Sequence, residues 1–438
     1  MSATNTNCIF TITDLENAKK KMLNWANQFG IFCFLDNHRY QTNYHSVECL
    51  LAVARPDVPF ERDCKSSFIP KPGYGLNDLQ NFLDGQPRWL FGHLSYDLKN
   101  EIEDLISSHT SKLGFPDNFF FEPKIIIRLS EKQMEIESDD AEKIFAQIMQ
   151  SDNGLEKIQN IAINIRQRVS KQEYFDTIEQ LKRHILRGDC YEINYCMEFF
   201  AEDVVIDPLS VYQKLSSNSP NPFSALYKLE DKWLICASPE RFLKKEGNKI
   251  LSQPIKGTSS RFLKDDNKDK KSKEALYTSE KDRSENVMVV DLVRNDLARV
   301  CKEGSVKVDE LFGIYSFPQV HQMISTVSGE LKNEISFADI IKATFPMGSM
   351  TGAPKRRVME LIDQYERSGR GIFSGAVGYI TPEGDFDFNV VIRSIMYNAS
   401  EKYLSFMAGS GITFYSDAKK EYEECLLKAK AMRKAITS

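Results

Sequence analysis

The sequence lacks long apolar runs and a strong excess of charge of either sign. Over 438 residues the formal net charge is −5, so the chain has no basic excess of the kind that binds nucleic acid. No stretch approaches the roughly 20 apolar residues that cross a bilayer. The first residues show no basic segment followed by an apolar one, which is the pattern of a secretory signal. We therefore expect neither nucleic acid nor membrane as a partner.

Paired cysteine motifs are also missing. The nine cysteines are scattered along the chain, and none form a CxxC pair. An odd number of cysteines without a secretion signal is typical of reduced thiols in a reducing compartment. We expect a cytoplasmic protein in which most cysteines are small buried apolar residues.

The length predicts more than one ordinary compact core. Strand-like and helical segments alternate without a regular βαβ rhythm, and hairpins dominate the second half of the chain. This pattern favours an α+β fold in which antiparallel sheets are covered by helices. The pattern sharpens near Ser170, which divides the chain into an N-terminal region, 1–165, and a C-terminal region, 166–438.

Local signals predict several elements. Ser170, followed three residues later by Glu173, predicts a capped helix that stops at Gly188. Ser279 and Asp282 predict the start of another helix. The polar segment 137–161 is predicted as a helical connection, and the mixed-charge run 264–273 as a mobile surface loop.

The stretch "LSQPIKGTSSRF" places a lysine directly before a glycine. Pro254 favours an extended approach, and Gly257 allows the backbone to turn or to approach a ligand closely. Lys256 is therefore predicted at the tip of a turn. Two interpretations are open: a solvated surface lysine, which most lysines are, or a nucleophile presented to a pocket.

Glu240, in "ASPERFL", precedes the lysine stretch by one hairpin. A partly buried glutamate whose pKa is raised would make a general acid. Taken alone, it is equally well a charged residue in a strand.

Two predicted helices each carry an acidic pair spaced i, i+3. Asp282 and Glu285 form the first pair, and Glu421 and Glu424 form the second. This spacing places both carboxylates of a pair on one helix face. Brought together, the pairs would form an oxygen-rich site suited to Mg²⁺. Each pair alone could instead be a helix cap or a solvated surface, and Lys428 follows Glu424 at i+4 as in many exposed pairs.

Three further features could hold an anionic ligand. Arg393 lies in the apolar run "FNVVIRSIMY", where a guanidinium is costly unless it is paired, for example with a ligand carboxylate. Tyr379 in "GAVGYIT" could donate to the same ligand. "AGSGI", which contains Gly409, Ser410 and Gly411, offers backbone amides, although it could be a simple hairpin turn. "GSMTGAPKRR" lacks the spacing of a nucleotide-binding loop.

Together these segments resemble the chorismate-utilising enzymes, a family that includes anthranilate, aminodeoxychorismate, isochorismate and salicylate synthases. The segments that carry the resemblance occur in this order: "SPERFL", "PIKGTSSR", "SENVMVVDLVRNDLARVC", "FPMGSMTGAPKRRVMELI", "FSGAVGYI", "FNVVIRSI", "GSGI" and "EYEECLLKAKA". The resemblance is strong over residues 170–435 and weak over the N-terminal third. It implies two packed antiparallel sheets with helices outside, with residues 1–165 contributing to the sandwich and 166–438 binding chorismate.

The resemblance also implies roles for individual residues. Glu285 and Glu424 match the Mg²⁺ ligands of the family, and Asp282 and Glu421 match an outer pair that reaches the metal through water. The residues that match the substrate-holding positions are Gly257, Thr258, Tyr379, Arg393, Gly409, Ser410, Gly411 and Lys428.

Position 256 separates the activities within the family. Anthranilate synthases have "PIAGT", whereas "PIKGT" resembles component I of aminodeoxychorismate synthase, the aminating subunit of para-aminobenzoate and folate biosynthesis. That resemblance implies that Lys256, with its pKa lowered by burial and Mg²⁺, attacks C2 of chorismate. Glu240 protonates the departing C4 hydroxyl, and ammonia then attacks C4 and expels the lysine. The alternatives are an anthranilate synthase component I, an isochorismate or salicylate synthase, and an inactive binding subunit.

One departure from the family pattern and two absent segments bear on these expectations. Gln322 stands where relatives often have histidine, and His321 lies beside it. The chain has no "GxCxG" block, so glutamine-dependent activity would need a separate glutaminase subunit to deliver ammonia. The N-terminal third lacks the "LLES" segment through which many anthranilate synthases bind tryptophan, so tryptophan feedback is not expected.

Overall fold

A computed structural model describes residues 7–40, 48–54, 67–68, 75–151, 163–318 and 320–437. Within these ranges no helix is long and apolar enough to cross a membrane. The described cysteines are all free thiols, and all but Cys8 are buried.

The described strands pair antiparallel throughout and make two sheets. In chain order they are β1 (Asn7–Thr11), β2 (Ile31–Asp36), β3 (Cys49–Val53), β4 (Ser67–Phe68), β5 (Leu90–Leu94), β6 (Asn118–Phe121), β7 (Ile125–Leu129), β8 (Gln133–Glu137), β9 (Arg166–Gln167), β10 (Glu192–Ala201), β11 (Phe223–Leu229), β12 (Lys232–Ser238), β13 (Arg241–Glu246), β14 (Lys249–Gln253), β15 (Ile255–Ser260), β16 (Lys307–Ser316), β17 (Val320–Glu330), β18 (Gly352–Ala353), β19 (Ala376–Ile380), β20 (Phe386–Asn389), β21 (Ser394–Asn398) and β22 (Tyr403–Ile412).

The helices lie outside the two sheets. They are α1 (Leu15–Ala26), α2 (Leu76–Gly85), α3 (Lys99–Glu103), α4 (Ala141–Gln150), α5 (Lys171–Leu186), α6 (Pro208–Asn218), α7 (Asp266–Thr278), α8 (Glu280–Val300), α9 (Phe337–Thr344), α10 (Lys355–Tyr365) and α11 (Ala418–Thr437), with short 3₁₀ turns at Tyr96–Leu98 and Gly348–Met350.

The first sheet contains twelve strands in the order β1-β8-β7-β3-β2-β11-β12-β21-β22-β10-β18, with β9 beside β10. The second contains ten in the order β15-β17-β14-β13-β20-β19-β5-β6-β4, with β16 beside β17. Strands from before and after residue 165 take part in both sheets. The predicted fold class, two antiparallel sheets covered by helices, is confirmed.

Alternation along the strands separates two apolar cores. In β2, Cys33 faces the core between the sheets, whereas Phe32 and Phe34 face the core under α1 and α6. In β10, Cys196 faces inward and Tyr195 faces the helices. The first sheet is therefore buried on both faces, because successive side chains point to opposite sides.

The capping signals mark helix starts correctly. Ser170 Oγ accepts from the Glu173 amide, and the Glu173 side chain accepts from the Ser170 amide, so both halves of the capping box are present. Ser279 caps α8 by accepting from the Asp282 amide. The helix predicted within 137–161 is present as α4, and its continuation past 151 lies outside the described residues until 163.

The surface-loop prediction for 264–273 is wrong. Residues 266–278 form α7, and the Asp265 side chain caps this helix by accepting from the Lys268 amide. The segment is charged, but lysine, glutamate and alanine are good helix formers, and an aspartate cap adds stability. Charge alone therefore did not distinguish an exposed helix from a loop.

A buried arginine, Arg370, connects several chain segments next to the cavity described below. Arg370 is 1% exposed and makes a bidentate pair with Glu366, at 2.9 and 2.6 Å. Its Nη1 donates to the Met350 carbonyl at 2.7 Å, and its Nη2, which also pairs with Glu366, donates to the Asn194 carbonyl at 2.8 Å. The guanidinium therefore positions two segments that line this cavity.

We expect Glu366→Gln to lower the free energy of unfolding by about 3 kcal/mol, because the Arg370 guanidinium would stay buried without an anion. Urea denaturation measures this change. The matched control is Asp291→Asn, which removes the partner of Arg294 in an ion pair whose side chains are 60% and 53% exposed. The control should change stability by less than about 0.5 kcal/mol. Equal effects in the two variants would contradict the importance of the buried pair.

Candidate active site

A cavity of about 760 Å³ lies where β15 and β22, one from each sheet, face α8 and α11. Its lining combines charged groups with exposed backbone. All of the sequence-predicted site residues except Tyr379, Ser410 and Glu421 line it, namely Glu240, Lys256, Gly257, Thr258, Asp282, Glu285, Arg393, Gly409, Gly411, Glu424 and Lys428.

Lys256 reaches the cavity from a bulge in a strand, which corrects the predicted turn tip. The register of β15 against β17 shifts between Ile255 and Thr258. Gly257 lies in this shift with φ +88°, and a Cβ built on it would lie 3.0 Å from Cβ of Asp282. Glycine is therefore required both for the backbone conformation and for the close approach of α8.

The Lys256 ammonium is paired with a carboxylate that the sequence analysis did not identify. Lys256 Nζ donates to Glu192 Oε1 at 2.5 Å, and both residues are buried. Burial acts to lower the pKa of Lys256, but the charges of Glu192, Glu285 and Glu240 outweigh it and raise this pKa. The expectation that the pKa of Lys256 is lowered is therefore wrong, because the surrounding carboxylates raise it. The ammonium must give up a proton to an acceptor before the amine can attack.

Glu240 lies on the short link between β12 and β13 and is 4% exposed. Its backbone oxygen accepts from the Val390 amide at 3.0 Å, and its amide donates to Ser238 Oγ at 3.2 Å. Burial raises the pKa of Glu240 to about 7, although Ser349 and the Lys256 ammonium act in the opposite direction. A carboxyl group in this condition can donate a proton near neutral pH, as a general acid must.

The two acidic pairs approach the cavity from different helices. Asp282 and Glu285 line it from α8, and Glu424 lines it from α11. Glu421 is 1% exposed but lies beside the cavity, where its Oε1 accepts from Lys281 Nζ at 2.8 Å. Lys281 Nζ also lies 3.7 Å from Glu285 Oε1, so one ammonium group connects the two helices.

These carboxylates provide a donor set that fits a divalent cation. Glu285 Oε1 and Glu421 Oε2 are buried and, within the described chain, have no hydrogen-bond partner. Burial raises the pKa of Glu285 to about 7, although the positive charge of Lys256 acts to lower it. In the described ranges no three His, Cys, Asp or Glu side chains already stand in metal-binding positions. The ammonium groups of Lys281 and Lys428 contact the carboxylates instead.

Arg393 points into the cavity from a break in the sheet, not from the continuous strand that the apolar run predicts. It follows β20 and precedes β21, with φ +52°. A non-glycine residue in this conformation is strained by about 1–3 kcal/mol, which is common at ligand sites. Among the described residues its guanidinium has no hydrogen bond or ion pair, and burial lowers its pKa. It is therefore available to bind an anionic group.

The glycines of β22 bring backbone to the cavity wall. Gly409 and Gly411 line the cavity, whereas Ser410 points the other way, where its Oγ lies 3.4 Å from the hydroxyl of Tyr174. Alternation along the strand explains why Ser410 is absent from the site. Lys428 Nζ donates to the Gly409 carbonyl at 2.8 Å, which holds the ammonium against this wall.

Tyr379 is not in this site. It lies in β19, packs against Trp89 and Phe91, and lines a separate cavity of about 60 Å³. The side chain that lines the main cavity from the same segment is Phe373, which has no hydroxyl group. Tyr379 is therefore not placed to donate a hydrogen bond to a ligand in the main cavity, which corrects the expectation.

The pair His321 and Gln322 is divided by strand alternation. Gln322 lines the cavity, and its Oε1 is buried without a partner among the described residues. His321 faces away, where its ring contacts Ser316 Oγ at 2.9 Å and Asp269 Oδ1 at 3.1 Å. The cavity therefore has an amide where relatives often have an imidazole, and His321 cannot replace it.

Sequence reasoning missed Glu192 and Asn194 in β10. Glu192 pairs with Lys256, and Asn194 lines the cavity. The available signal was the period-2 pattern of "EINYCMEFF", in which Glu192, Asn194 and Glu198 alternate with large apolar residues. That pattern predicts a polar face on a buried strand, but it does not identify the partner across the cavity.

The family model for chorismate binding enzymes matches residues 46–434. Since this span covers most of the chain, the protein belongs to the chorismate binding enzyme family.

Two curated relatives illustrate the range of names within that family. A protein of Oryza sativa subsp. japonica, named probable aminodeoxychorismate synthase, chloroplastic, is 42% identical over 270 residues, 61% of this chain and 30% of the relative. A Synechocystis protein, named anthranilate synthase component I-like, is 34% identical over 354 residues, 80% of this chain and 72% of the relative. The chain spans less than two thirds of the length of several other curated relatives.

A solved structure shows the same fold. The crystal structure of anthranilate synthase component I from Streptococcus pneumoniae TIGR4 matches with a TM-score of 0.71 at 23% identity. The match covers 99% of this chain and 93% of that one.

The raised pKa of Glu240 predicts a specific pH dependence of stability. The folded protein holds a proton on Glu240 up to about pH 7, whereas the unfolded chain releases it near pH 4.3. Its contribution to stability is therefore present at low pH and lost as pH rises through 7. We expect the free energy of unfolding of Glu240→Gln, relative to wild type, to increase by about 2 kcal/mol between pH 5 and pH 8.

Denaturation of both proteins at the two pH values measures this difference. The control is Glu246→Gln in the next strand, whose side chain is 76% exposed and should give no such trend. A Glu240→Gln difference that does not change with pH would show that Glu240 titrates normally.

Proposed function

We propose that this protein aminates chorismate at C4 and forms 4-amino-4-deoxychorismate, in the manner of the aminating subunit of aminodeoxychorismate synthase. The product would serve para-aminobenzoate and folate biosynthesis. The observation that carries the proposal is the presence of Lys256 and Glu240 in one cavity, one as a buried amine and the other as a carboxyl group whose pKa is about 7.

The two residues would divide one difficult substitution into two easier ones. The amine of Lys256 attacks C2, the ring double bond moves, and the C4 hydroxyl leaves with a proton from Glu240. Ammonia then attacks C4, the double bond moves back, and the bond between C2 and Lys256 breaks. Burial supports the role of Glu240, because an ordinary glutamate would already be ionised at pH 7.

Substrate binding would use the cationic and amide-rich parts of the same wall. Chorismate carries two carboxylates, and Arg393 offers an unpaired guanidinium suited to bidentate binding. The same space is lined by Lys428, by the backbone at Gly409 and Gly411, and by Thr258 in β15. These groups orient the ring relative to Lys256.

A divalent cation, which we take to be Mg²⁺, would be held by Glu285 and Glu424, with Asp282 and Glu421 behind them. When bound, it would neutralise a substrate carboxylate and the surrounding acidic groups. The unpartnered oxygens of Glu285 and Glu421 support this assignment. Lys281 and Lys428 would have to release their carboxylate contacts.

Ammonia would come from a separate glutaminase subunit. The term component I in the name of the Synechocystis relative supports a partner subunit. We further expect the protein to function in the cytoplasm, which agrees with the free thiols among the described residues.

The second candidate is an anthranilate synthase component I, which the name of the Synechocystis relative favours. Position 256 opposes it, because the resembling anthranilate synthases have alanine there and this chain has a buried lysine. An isochorismate or salicylate synthase would use water in place of ammonia, and Lys256 opposes these activities.

Product analysis tests the proposal directly. With chorismate, Mg²⁺ and ammonium at mildly alkaline pH, mass spectrometry should detect 4-amino-4-deoxychorismate. Lys256→Ala should lose this product and release a small amount of anthranilate-type product, because the C4 route is closed. Lys249→Ala, a substitution of a half-exposed lysine in β14, should retain activity. Anthranilate or isochorismate as the main wild-type product would overturn the proposal.

The metal assignment predicts a loss of cation affinity. Glu424→Gln should weaken Mg²⁺ binding in calorimetry by about 10-fold or more, and turnover should fall with it. Asp291→Asn, a change at an exposed carboxylate of α8 that does not line the cavity, should leave the affinity close to wild type. Equal Mg²⁺ affinity in wild type and Glu424→Gln would remove Glu424 from the ligand set.

A further inference from the structure

The pair formed by Lys256 and Glu192 joins the two sheets beside the cavity. Glu192 is the first residue of β10 in the twelve-stranded sheet, and Lys256 lies in the bulge of β15 in the ten-stranded sheet. Their side chains are 2% and 9% exposed and are separated by 2.5 Å between Oε1 and Nζ. The amine that the proposed function uses is therefore largely buried, and its open side faces the cavity.

The carboxylate of Glu192 is held differently from that of Glu198, a second buried glutamate on the same strand. Glu198, on the same strand, accepts from Arg168 at 2.9 Å, from Tyr403 at 2.6 Å and from Ser405 at 2.7 Å. Three donors therefore hold this carboxylate. Glu192 Oε1 accepts from Lys256, whereas its Oε2 is buried and has no partner within the described residues. One oxygen of Glu192 is therefore free of donors from the described chain.

The space for the pair depends on Gly411 in β22. A Cβ built on Gly411 would lie 2.6 Å from Glu192 Oε1 and 3.1 Å from Lys256 Nζ. A side chain at this position would require one or both of these groups to shift. The pair thus occupies a close-fitting place between β10, β15 and β22.

Other groups near Lys256 are poor candidates for removing its proton. Glu285, whose charge also acts on Lys256, is assigned to the divalent cation in the proposed function. Glu240 must keep its own proton in order to donate it to the leaving hydroxyl. Gln322 has no basic atom, and the ring of His321 faces away from the cavity.

We propose that Glu192 is a catalytic base that takes one proton from the Lys256 ammonium before the amine attacks the substrate. This inference rests on the proposed function, since it assigns the missing proton acceptor for that reaction. It gives Glu192 a chemical task in addition to its structural bond.

The proton and electron balance closes over one turnover. Lys256 begins as an ammonium, Glu192 as a carboxylate and Glu240 as a carboxylic acid. Glu192 takes a proton, the neutral amine bonds to C2, and the C4 hydroxyl leaves as water with the proton of Glu240. After ammonia bonds to C4 and the C2–N bond breaks, Lys256 leaves as a neutral amine and recovers its proton from Glu192. Glu240 recovers a proton from the new ammonium group at C4.

The test follows formation of the Lys256 adduct with ammonia withheld. Wild type and Glu192→Gln are mixed with chorismate and Mg²⁺, and intact-mass spectrometry monitors the gain of one chorismate less one water. Glutamine keeps the size and an acceptor oxygen but cannot take the proton. We expect adduct formation to slow by at least about 100-fold, the lower end of the range for general acid–base catalysis. Chorismate binding in calorimetry should stay close to wild type.

The matched control is Glu198→Gln, the same change at a buried glutamate of the same strand outside the cavity. It should form the adduct at the wild-type rate. If Glu192→Gln does not fold, Glu192→Asp replaces it; this change shortens the side chain and should slow adduct formation by at least about 10-fold. Adduct formation at the wild-type rate in the folded variant, or equal slowing in Glu198→Gln, would overturn the assignment.

The outcomes separate this inference from the proposed function. If the wild type makes 4-amino-4-deoxychorismate and the adduct, but Glu192→Gln forms the adduct equally fast, the base assignment alone is wrong. If the wild type makes anthranilate or isochorismate instead, the proposed function is wrong and the base assignment falls with it.

Discussion

A charge buried between two apolar sheets needs a partner, and the site of this protein is arranged around one such pair. The Lys256 ammonium and the Glu192 carboxylate meet at 2.5 Å, although they come from different sheets. Removing either partner alone would leave a largely buried charge without its partner. The missing side chain at Gly411 leaves room for this contact, and the glycine at 257 lets β15 bulge beside α8.

The same constraint separates the roles of the other ionisable groups. Burial raises the pKa of Glu240 to about 7 and outweighs the opposite effects of Ser349 and the Lys256 ammonium. Arg393, on a strained break between strands, has a guanidinium without a partner among the described residues, which a ligand carboxylate can neutralise. One wall therefore offers a proton and another offers positive charge. This division suits a dianionic substrate whose leaving group needs protonation.

Sequence patterns predicted the local elements well where the signal lies within a few residues. The capping box at Ser170 is an example, because its hydrogen bonds connect near neighbours in the chain. The mixed-charge run 264–273 shows the limit, since its helix depends on an aspartate cap and on packing against β15 and β17. Resemblance to a family carried most of the site assignment but placed Tyr379 and Ser410 in it. Only the structure showed that both side chains point away from the cavity, because their strands turn other residues toward it.

The sequence by itself determined the α+β class, the two acidic pairs, and the lysine and glycine that mark the site. These features depend on spacing and residue type, which the chain records directly. Only the tertiary structure decided that Glu192 is the partner of Lys256, because 64 residues separate them and they lie on different sheets. It also decided that Gln322, not His321, faces the cavity. Contacts between distant strands depend on register and sheet packing, and no local pattern specifies either of them.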